Sequence, residues 1–261
     1  MELDLKGKVI WVTGASQGMG FATAKLLAQE GACVVMCARH ETKLNQASET
    51  IAHDTGAKPL AIAADIRDSK AMHDLAQTIL DQKGSLDGVF INGGAPAVGT
   101  LSELSEKDWQ EAFSMIVMGA VHVLAAALPN MPQGAAVVIN TSNFIRQPFA
   151  AYTLPSTLRL AVAGLIKTTA DEWGKKGIRI NGIAPGYTRT KVVLDWLESE
   201  AKRLQQPLAQ VEKHYSASIP LGRFANPDEI AAAVAFLLSP KASFIHGSIL
   251  TIDGGESRFP L

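Results

Sequence analysis

Three groups of residues have types and spacings that could do chemistry. The first is the run Thr13-Gly14-Ala15-Ser16-Gln17-Gly18-Met19-Gly20. Gly14 allows a tight turn, and Gly18 lets backbone amides approach a diphosphate at a helix N-terminus. Gly20 permits close helix–strand packing. The spacing Gly-x3-Gly-x-Gly gains its weight from context, since a short strand precedes it and a helix follows. The second group lies beyond the next strand, which ends Cys37-Ala38-Arg39. A carboxylate at that point would take the ribose 2′-hydroxyl of NAD, whereas Arg39 suits a 2′-phosphate. NADP(H) is therefore expected in preference to NAD(H), with a solvated strand-end arginine as the alternative. Asp65, after the third strand, is placed to accept from an adenine amino group; helix capping by Asp65 or Asp68 is the competing role. The third group centres on Ser142. It has no evident base partner, so a hydrolase triad is unsupported. No His, Cys and carboxylate cluster has metal-ligand spacing, and no metal is expected.

These residues need a scaffold, and the chain alternates strand and helix throughout. Lys8 to Thr13, Cys33 to Ala38, Pro59 to Ala64, Gly88 to Ile91, Ala136 to Asn140, Ile178 to Ile183 and Ser248 to Ile252 read as strands. Phe21 to Glu30, Glu41 to His53, Lys70 to Gln82, Glu106 to Leu128, Ser156 to Trp173 and Ile230 to Leu238 read as helices. Cys33 to Ala38 is apolar without alternation, as in a strand covered on both faces. Alternation at this spacing predicts an α/β fold: one Rossmann-type, doubly wound parallel sheet flanked by helices, spanning 1–261 as a single domain. Thr190 to Ser218 is longer than most connections and carries Val192, Val193, Trp196 and Leu197 at helical spacing. It is expected to form a helical lid over a substrate, against the plainer reading of a surface helix pair.

Composition excludes several classes of function. Twenty-four basic residues face 25 acidic ones, so no basic field exists for a nucleic-acid backbone. No apolar run nears the roughly 18 residues of a membrane span; the longest candidate, Gly119 to Leu128, is short and contains His122. The start MELDLKGKVIWVTG has no basic, apolar or cleavage region of a secretory signal, which points to the cytoplasm. Cys33 and Cys37, four residues apart on one strand, stand about 13 Å from each other and cannot form a disulfide. They are expected to be two small buried thiols.

Further motifs carry a specific likeness. Asn181-Gly182-Ile183-Ala184-Pro185-Gly186 with Thr190, Ile219-Pro220-Leu221-Gly222-Arg223-Phe224, Pro227-Asp228-Glu229 and Asp253-Gly254-Gly255 accompany the glycine turn. With these the chain resembles the short-chain dehydrogenase/reductase family over nearly its whole length, notably its 3-oxoacyl-[acyl-carrier-protein] reductase-like branch. The resemblance implies carbonyl reduction or alcohol oxidation in the cytoplasm by a homotetramer or homodimer. Leu158 to Ile166, apolar almost all round, suits a helix buried between the sheet and a partner subunit. The implied cofactor set is Gly14, Ser16, Gln17, Gly18, Met19, Gly20, Arg39, Asp65, Ile66, Asn92, Gly93, Gly94, Arg159, Pro185, Gly186, Thr188 and Thr190.

The catalytic positions depart from the family. Its serine, which binds the substrate carbonyl, matches Ser142. Its proton-donating tyrosine should follow about thirteen positions later, on Pro155. Counting back from Asn181 gives the same register, with the partner lysine replaced by Arg159. Counting from Trp109 puts Ile116 where the family has an asparagine. Proline carries no transferable proton, and it is a favourable residue in a helix's first turn. Arginine can hold ribose hydroxyls, but its pKa is too high for proton relay. The expected active set is thus Ser142, Arg159 and a substitute acid, with Tyr152 the first candidate, against a packing or surface tyrosine, and Tyr187, Ser156 and Asn143 weaker ones; Arg146 could hold an anionic substrate group or be a solvated loop arginine, and His214 and Tyr215 are expected on the surface of the lid. His122 reads as a hydrogen-bonded core residue. Three readings stay open: an NADP(H)-dependent oxidoreductase acting on a small-molecule or acyl-linked carbonyl; a non-redox isomerase, dehydratase or cyclase; and a catalytically silent NADP-binding subunit.

Overall fold

The computed structural model describes residues 2–258. Seven parallel strands form one sheet in the order β3-β2-β1-β4-β5-β6-β7. They are β1 (Val9–Thr13), β2 (Cys33–Ala38), β3 (Leu60–Ala63), β4 (Gly88–Ile91), β5 (Ala136–Asn140), β6 (Arg179–Pro185) and β7 (Ile249–Ile252). The order reverses between β1 and β4, whose carboxyl ends therefore open a crevice for a ligand. β1 and β5 are wholly buried, which is why they read as continuous apolar runs.

The helices are α1 (Gly18–Gln29), α2 (Glu41–Thr55), α3 (Ser69–Lys83), α4 (Glu106–Phe113), α5 (Gly119–Ala127), α6 (Thr153–Gly174), α7 (Lys191–Leu204), α8 (Leu208–Ser216) and α9 (Pro227–Leu238). One core cluster joins Trp11, Val89 and Ile139 to α3, α5 and α6. The other joins Val12, Phe90 and Val138 to α1, α2 and α9. The sheet is thus covered on both faces, as the doubly wound pattern requires.

Several motif residues prove to be architectural. Asn226 and Glu229 form a capping box at the start of α9. Arg223 donates to both oxygens of Glu229 and holds that carboxyl down at about 2. Asn181, fully buried, donates to the Ile245 carbonyl and accepts from the Ser248 amide, clamping β6 to the chain entering β7. Arg179 donates to the carbonyls of Leu237, Leu238 and Ser239, so a cation sits at the C-terminus of α9. Asp68, not Asp65, caps its helix, accepting from the Ala71 amide.

Four expectations change. Cys37 is buried, but Cys33 opens the strand and is exposed. Residues 106–130 form one continuous helical stretch that by length and composition alone would cross a membrane. Half of its apolar window is buried within the fold, against α3 and α6. Its apolarity belongs to a core helix, and the run was missed because Trp109 to Val117 interleaves polar residues. That stretch contains a π-helical turn, Ser114–Met118, where a single helix was expected. Finally, α6 begins at Thr153 where Ser156 was expected; in the single chain its outer side, the one expected to meet a partner, is open, with Leu160 57 % exposed and Ala161 and Gly164 exposed too.

The 190–218 insertion folds as α7 and α8. Leu197, Ala201 and Val211 pack with Ile219 and Phe224 into a third cluster of their own. Tyr215, expected on the surface, donates to Glu200 and lies edge-on to Trp196 within this cluster.

Candidate active site

A cleft of about 570 Å³ runs along the carboxyl ends of the strands. Its floor begins at the glycine turn. Gly14 has φ +59°, and a Cβ there would lie 2.6 Å from the Asn92 carbonyl oxygen, so neither the turn nor the packing admits a side chain. Gln17 stands at the N-cap of α1 without a side-chain capping bond, which leaves the first-turn amides open. Open amides at a helix start suit an anionic diphosphate. Gly20 is the one proposed cofactor residue outside the lining. It is buried beneath the turn, where a Cβ would come within 2.3 Å of the Gly14 carbonyl oxygen. Its role is packing, and the assignment to cofactor contact is corrected accordingly.

At the end of the cleft beyond β2, Arg39 forms part of the lining together with His40, Lys43 and Arg67. Asp65 is taken up by Arg67, which binds both carboxylate oxygens from Nε and Nη2 at 2.6–3.1 Å. Among the described residues, neither Arg39 nor Lys43 makes an ion pair, so two cations face the cleft at this end. Lys43 and His40 were missed from sequence. Lys43, four residues after Arg39 on α2, carried a usable signal in that spacing. The Ile66 carbonyl is 3.0 Å from His122 Nδ1, which fixes the loop after β3 and fits the core role expected of that histidine.

Midway, Asn92 ties three strand ends together. Its amide donates to Thr13 Oγ1, its side-chain oxygen accepts from Asn140, and its side-chain nitrogen reaches the Gly14 carbonyl at 3.5 Å. Gly93 and Gly94 continue the wall. Opposite, Pro185, Gly186, Thr188 and Thr190 line the far side, and Thr188 Oγ1 donates to the Gly186 carbonyl at 3.1 Å.

Ser142, Tyr152 and Arg159 all line this far end of the same cleft, with Pro155 among them. Arg159 is 8 % exposed; Nη1 donates to the Asn140 carbonyl at 2.8 Å and Nη2 to the Gly94 carbonyl at 3.2 Å. Burial pushes its pKa down to about 10, so it stays charged at neutral pH. Among the described residues no carboxylate pairs with it, and carbonyl dipoles alone hold the cation. Ile116 is buried inside the π-helical turn and reaches no polar group of the site.

Tyr152 is the N-cap residue of α6, and its ring packs 4.8 Å from that of Phe144. Tyr187 stacks between Trp196 and Phe224, and burial pushes its hydroxyl pKa up, which makes it a poor acid. Ser156, Arg146, His214 and Tyr215 lie outside the lining, whereas Asn143 belongs to it. The substrate-side wall also contains Ala95, Pro96, Val98, Val192, Val193 and Trp196, so it is largely apolar. These wall residues were not singled out from sequence beyond Val192, Val193 and Trp196, because small apolar residues in loops carry no pattern.

The arrangement matches known proteins along the whole chain. Residues 14–257 match the family model described as enoyl-(acyl carrier protein) reductase. A short-chain dehydrogenase/reductase of Aspergillus oryzae is 32 % identical over 98 % of this chain and 97 % of its own length. L-Sorbose reductase of Gluconobacter frateurii, solved with NADPH and L-sorbose, superposes with a TM-score of 0.95 at 28 % identity, covering 99 % of this chain and all of that one. An NADPH-bound oxidoreductase of Pseudomonas aeruginosa containing an atypical catalytic center superposes at 0.91 with 31 % identity, covering 98 % and 99 %. The chain belongs to the short-chain dehydrogenase/reductase family, and it is an oxidoreductase-type chain of the kind that acts on a carbonyl or alcohol.

Proposed function

We propose that this protein is an NADP(H)-dependent oxidoreductase for a carbonyl, or the corresponding alcohol, carried on an apolar small molecule or acyl chain. The observation that carries this reading is the shared cleft: the uncapped α1 start and the unpaired Arg39 and Lys43 occupy one end, and Ser142, Tyr152 and Arg159 the other. Bound NADP(H) would supply or accept the hydride. Arg39 and Lys43 would hold the 2′-phosphate, since a compact dianion is matched by two free cations. Arg159 would hold the ribose with its remaining N–H groups while the Asn140 and Gly94 carbonyls keep it in place. Ser142 would bind the substrate oxygen, and Tyr152 would exchange the proton with it. The apolar wall around Val192, Val193 and Trp196 would take the substrate body, with α7 closing over it as a lid. Assembly as a homodimer or homotetramer is supported by the exposed Leu160 of α6 and Phe113 of α4, and the family resemblance supports the cytoplasm.

Pro155 at the acid position favours a second reading, a non-redox enzyme on the same scaffold. A silent NADP-binding subunit is the third, and it predicts binding without turnover. One experiment separates them. Cofactor-free protein is titrated with NADPH and NADH by fluorescence, then assayed with a panel of apolar ketones and aldehydes. Tighter NADPH binding with oxidation of NADPH is expected. Conversion of a substrate without change in nicotinamide absorbance would select the second reading. Binding of neither cofactor at millimolar concentration would overturn the first.

A further inference from the structure

Glu256 is a buried carboxyl that the reading above does not use. It lies in the turn after β7, is 3 % exposed, and packs against Gly186. Asn143 Nδ2 donates to Glu256 Oε2 at 2.8 Å, and Ser218 Oγ lies 3.5 Å from Oε1. Asn143 is itself 2 % exposed, and its side-chain oxygen accepts the Ser142 hydroxyl proton at 3.2 Å. Ser142 Oγ in turn accepts from the Phe144 amide at 3.3 Å. The consequence is chemical. With its proton given to Asn143, Ser142 presents only a lone pair to the cleft. That polarity suits an alcohol O–H and is wrong for a carbonyl oxygen, which needs a donor.

We propose that Glu256 is a positioning residue that sets, through the Asn143 amide, whether Ser142 donates or accepts toward the substrate. The proposal rests on the reading of Ser142 as the group that binds the substrate oxygen. An ionised Glu256 can only accept, so it holds the amide nitrogen toward itself and the amide oxygen toward Ser142. A protonated Glu256 can donate. The amide then turns over, its nitrogen faces Ser142 Oγ, and the serine proton is released toward the cleft. Without that turn, swinging the hydroxyl to a carbonyl strands a buried amide oxygen, a loss of about tenfold in binding.

The surroundings shift the balance toward the protonated form. Burial raises the Glu256 pKa, and Asp253 on the same turn raises it further; the Asn143 and Ser218 donors oppose this. Tyr187, on the segment after β6, also faces Glu256. Among the described residues no cation pairs with the carboxylate. Carbonyl reduction is therefore expected to strengthen as pH falls through the Glu256 titration, and alcohol oxidation to weaken.

The test compares kcat/KM for reduction against pH in wild type and Glu256→Gln. The wild type should show an inflection that Glu256→Gln lacks, with NADPH binding retained. The same inflection in the variant would overturn the proposal. A second measurement needs no turnover. The side-chain carboxyl carbon of Glu256 is titrated by NMR in cofactor-free wild type, Asn143→Ala and Ser142→Ala. Removing the Asn143 donor should move the titration upward, and Ser142→Ala should also displace it. A Glu256 titration unmoved by Ser142→Ala would break the proposed link. A protein that shows the NMR coupling yet turns over no carbonyl would keep the network and refute the oxidoreductase reading instead.

Discussion

The end of the cleft proposed to take adenosine and diphosphate is shaped largely by backbone, whereas the end proposed for the reaction is built from side chains. At the first, Gly14 and the open amides of α1 define the shape, and changing them would disturb β1, α1 and the Asn92 tie together. At the second, Pro155, Arg159 and Ile116, which counting along the sequence sets against the family's tyrosine, lysine and asparagine, are all three accommodated by the fold. Pro155 sits in the first turn of α6, Ile116 fills a core, and Arg159 finds two carbonyls. Substitution there alters chemistry without touching architecture. An intact glycine turn therefore says less about activity than an altered catalytic side chain does, because the turn is needed for folding as well.

The strongest way to break this comparison is Gly20→Val. Its Cβ would collide with the Gly14 carbonyl, so overpacking should cost about 1–3 kcal/mol and lower the Tm. NADPH binding should be lost with it, although Gly20 does not line the cleft. Thermal unfolding and an NADPH titration on one sample check both. Unchanged binding would show that the turn tolerates rearrangement and that its backbone is not the determinant claimed.

Tyr152→Phe probes the other end. If Tyr152 exchanges the substrate proton, the substitution should lower kcat by about 10²–10⁴. The Tm and NADPH affinity should not move, because the ring contact with Phe144 survives. Equal activity in the variant would remove Tyr152 from the reaction and leave water or another group as the proton source.

The same division explains what the sequence made legible. Strand and helix order followed from apolar runs and glycine stops, and the cofactor turn from spacing that only backbone geometry explains. Pro155 and Arg159 were placed by counting from Ser142, two residues beyond the end of β5, and from Asn181, which pairs in register with Val138 of β5. Glu256 was not legible. It meets Asn143 across 113 positions of chain, and nothing local in Gly254-Gly255-Glu256 marks a buried acid. The π-helical turn was equally hidden, since its residues continue the helical pattern on either side. Gly20 was legible as a motif residue, but only the packing beneath the turn separates contact with a ligand from support of one that makes it.

Arg39→Asp sharpens the comparison where side chains do enter the adenosine end. Arg39 is exposed, lines the cleft and makes no ion pair among the described residues, so its charge is available to a 2′-phosphate. A charge-assisted hydrogen bond of this kind is worth about 1.5–3 kcal/mol, which corresponds to roughly ten- to 150-fold in Kd. The aspartate should repel the phosphate and could accept from the 2′-hydroxyl of NADH. NADPH Kd should therefore rise by at least that factor while NADH binding holds or improves. Lys43 remains in the variant and limits the loss. The gap between the two cofactors should narrow as salt is added, since the contact is solvent-facing and screened. Equal weakening of both would mean that Arg39 supports the adenosine pocket without reading the phosphate, and the reaction end would then be the only part of the cleft whose side chains set specificity.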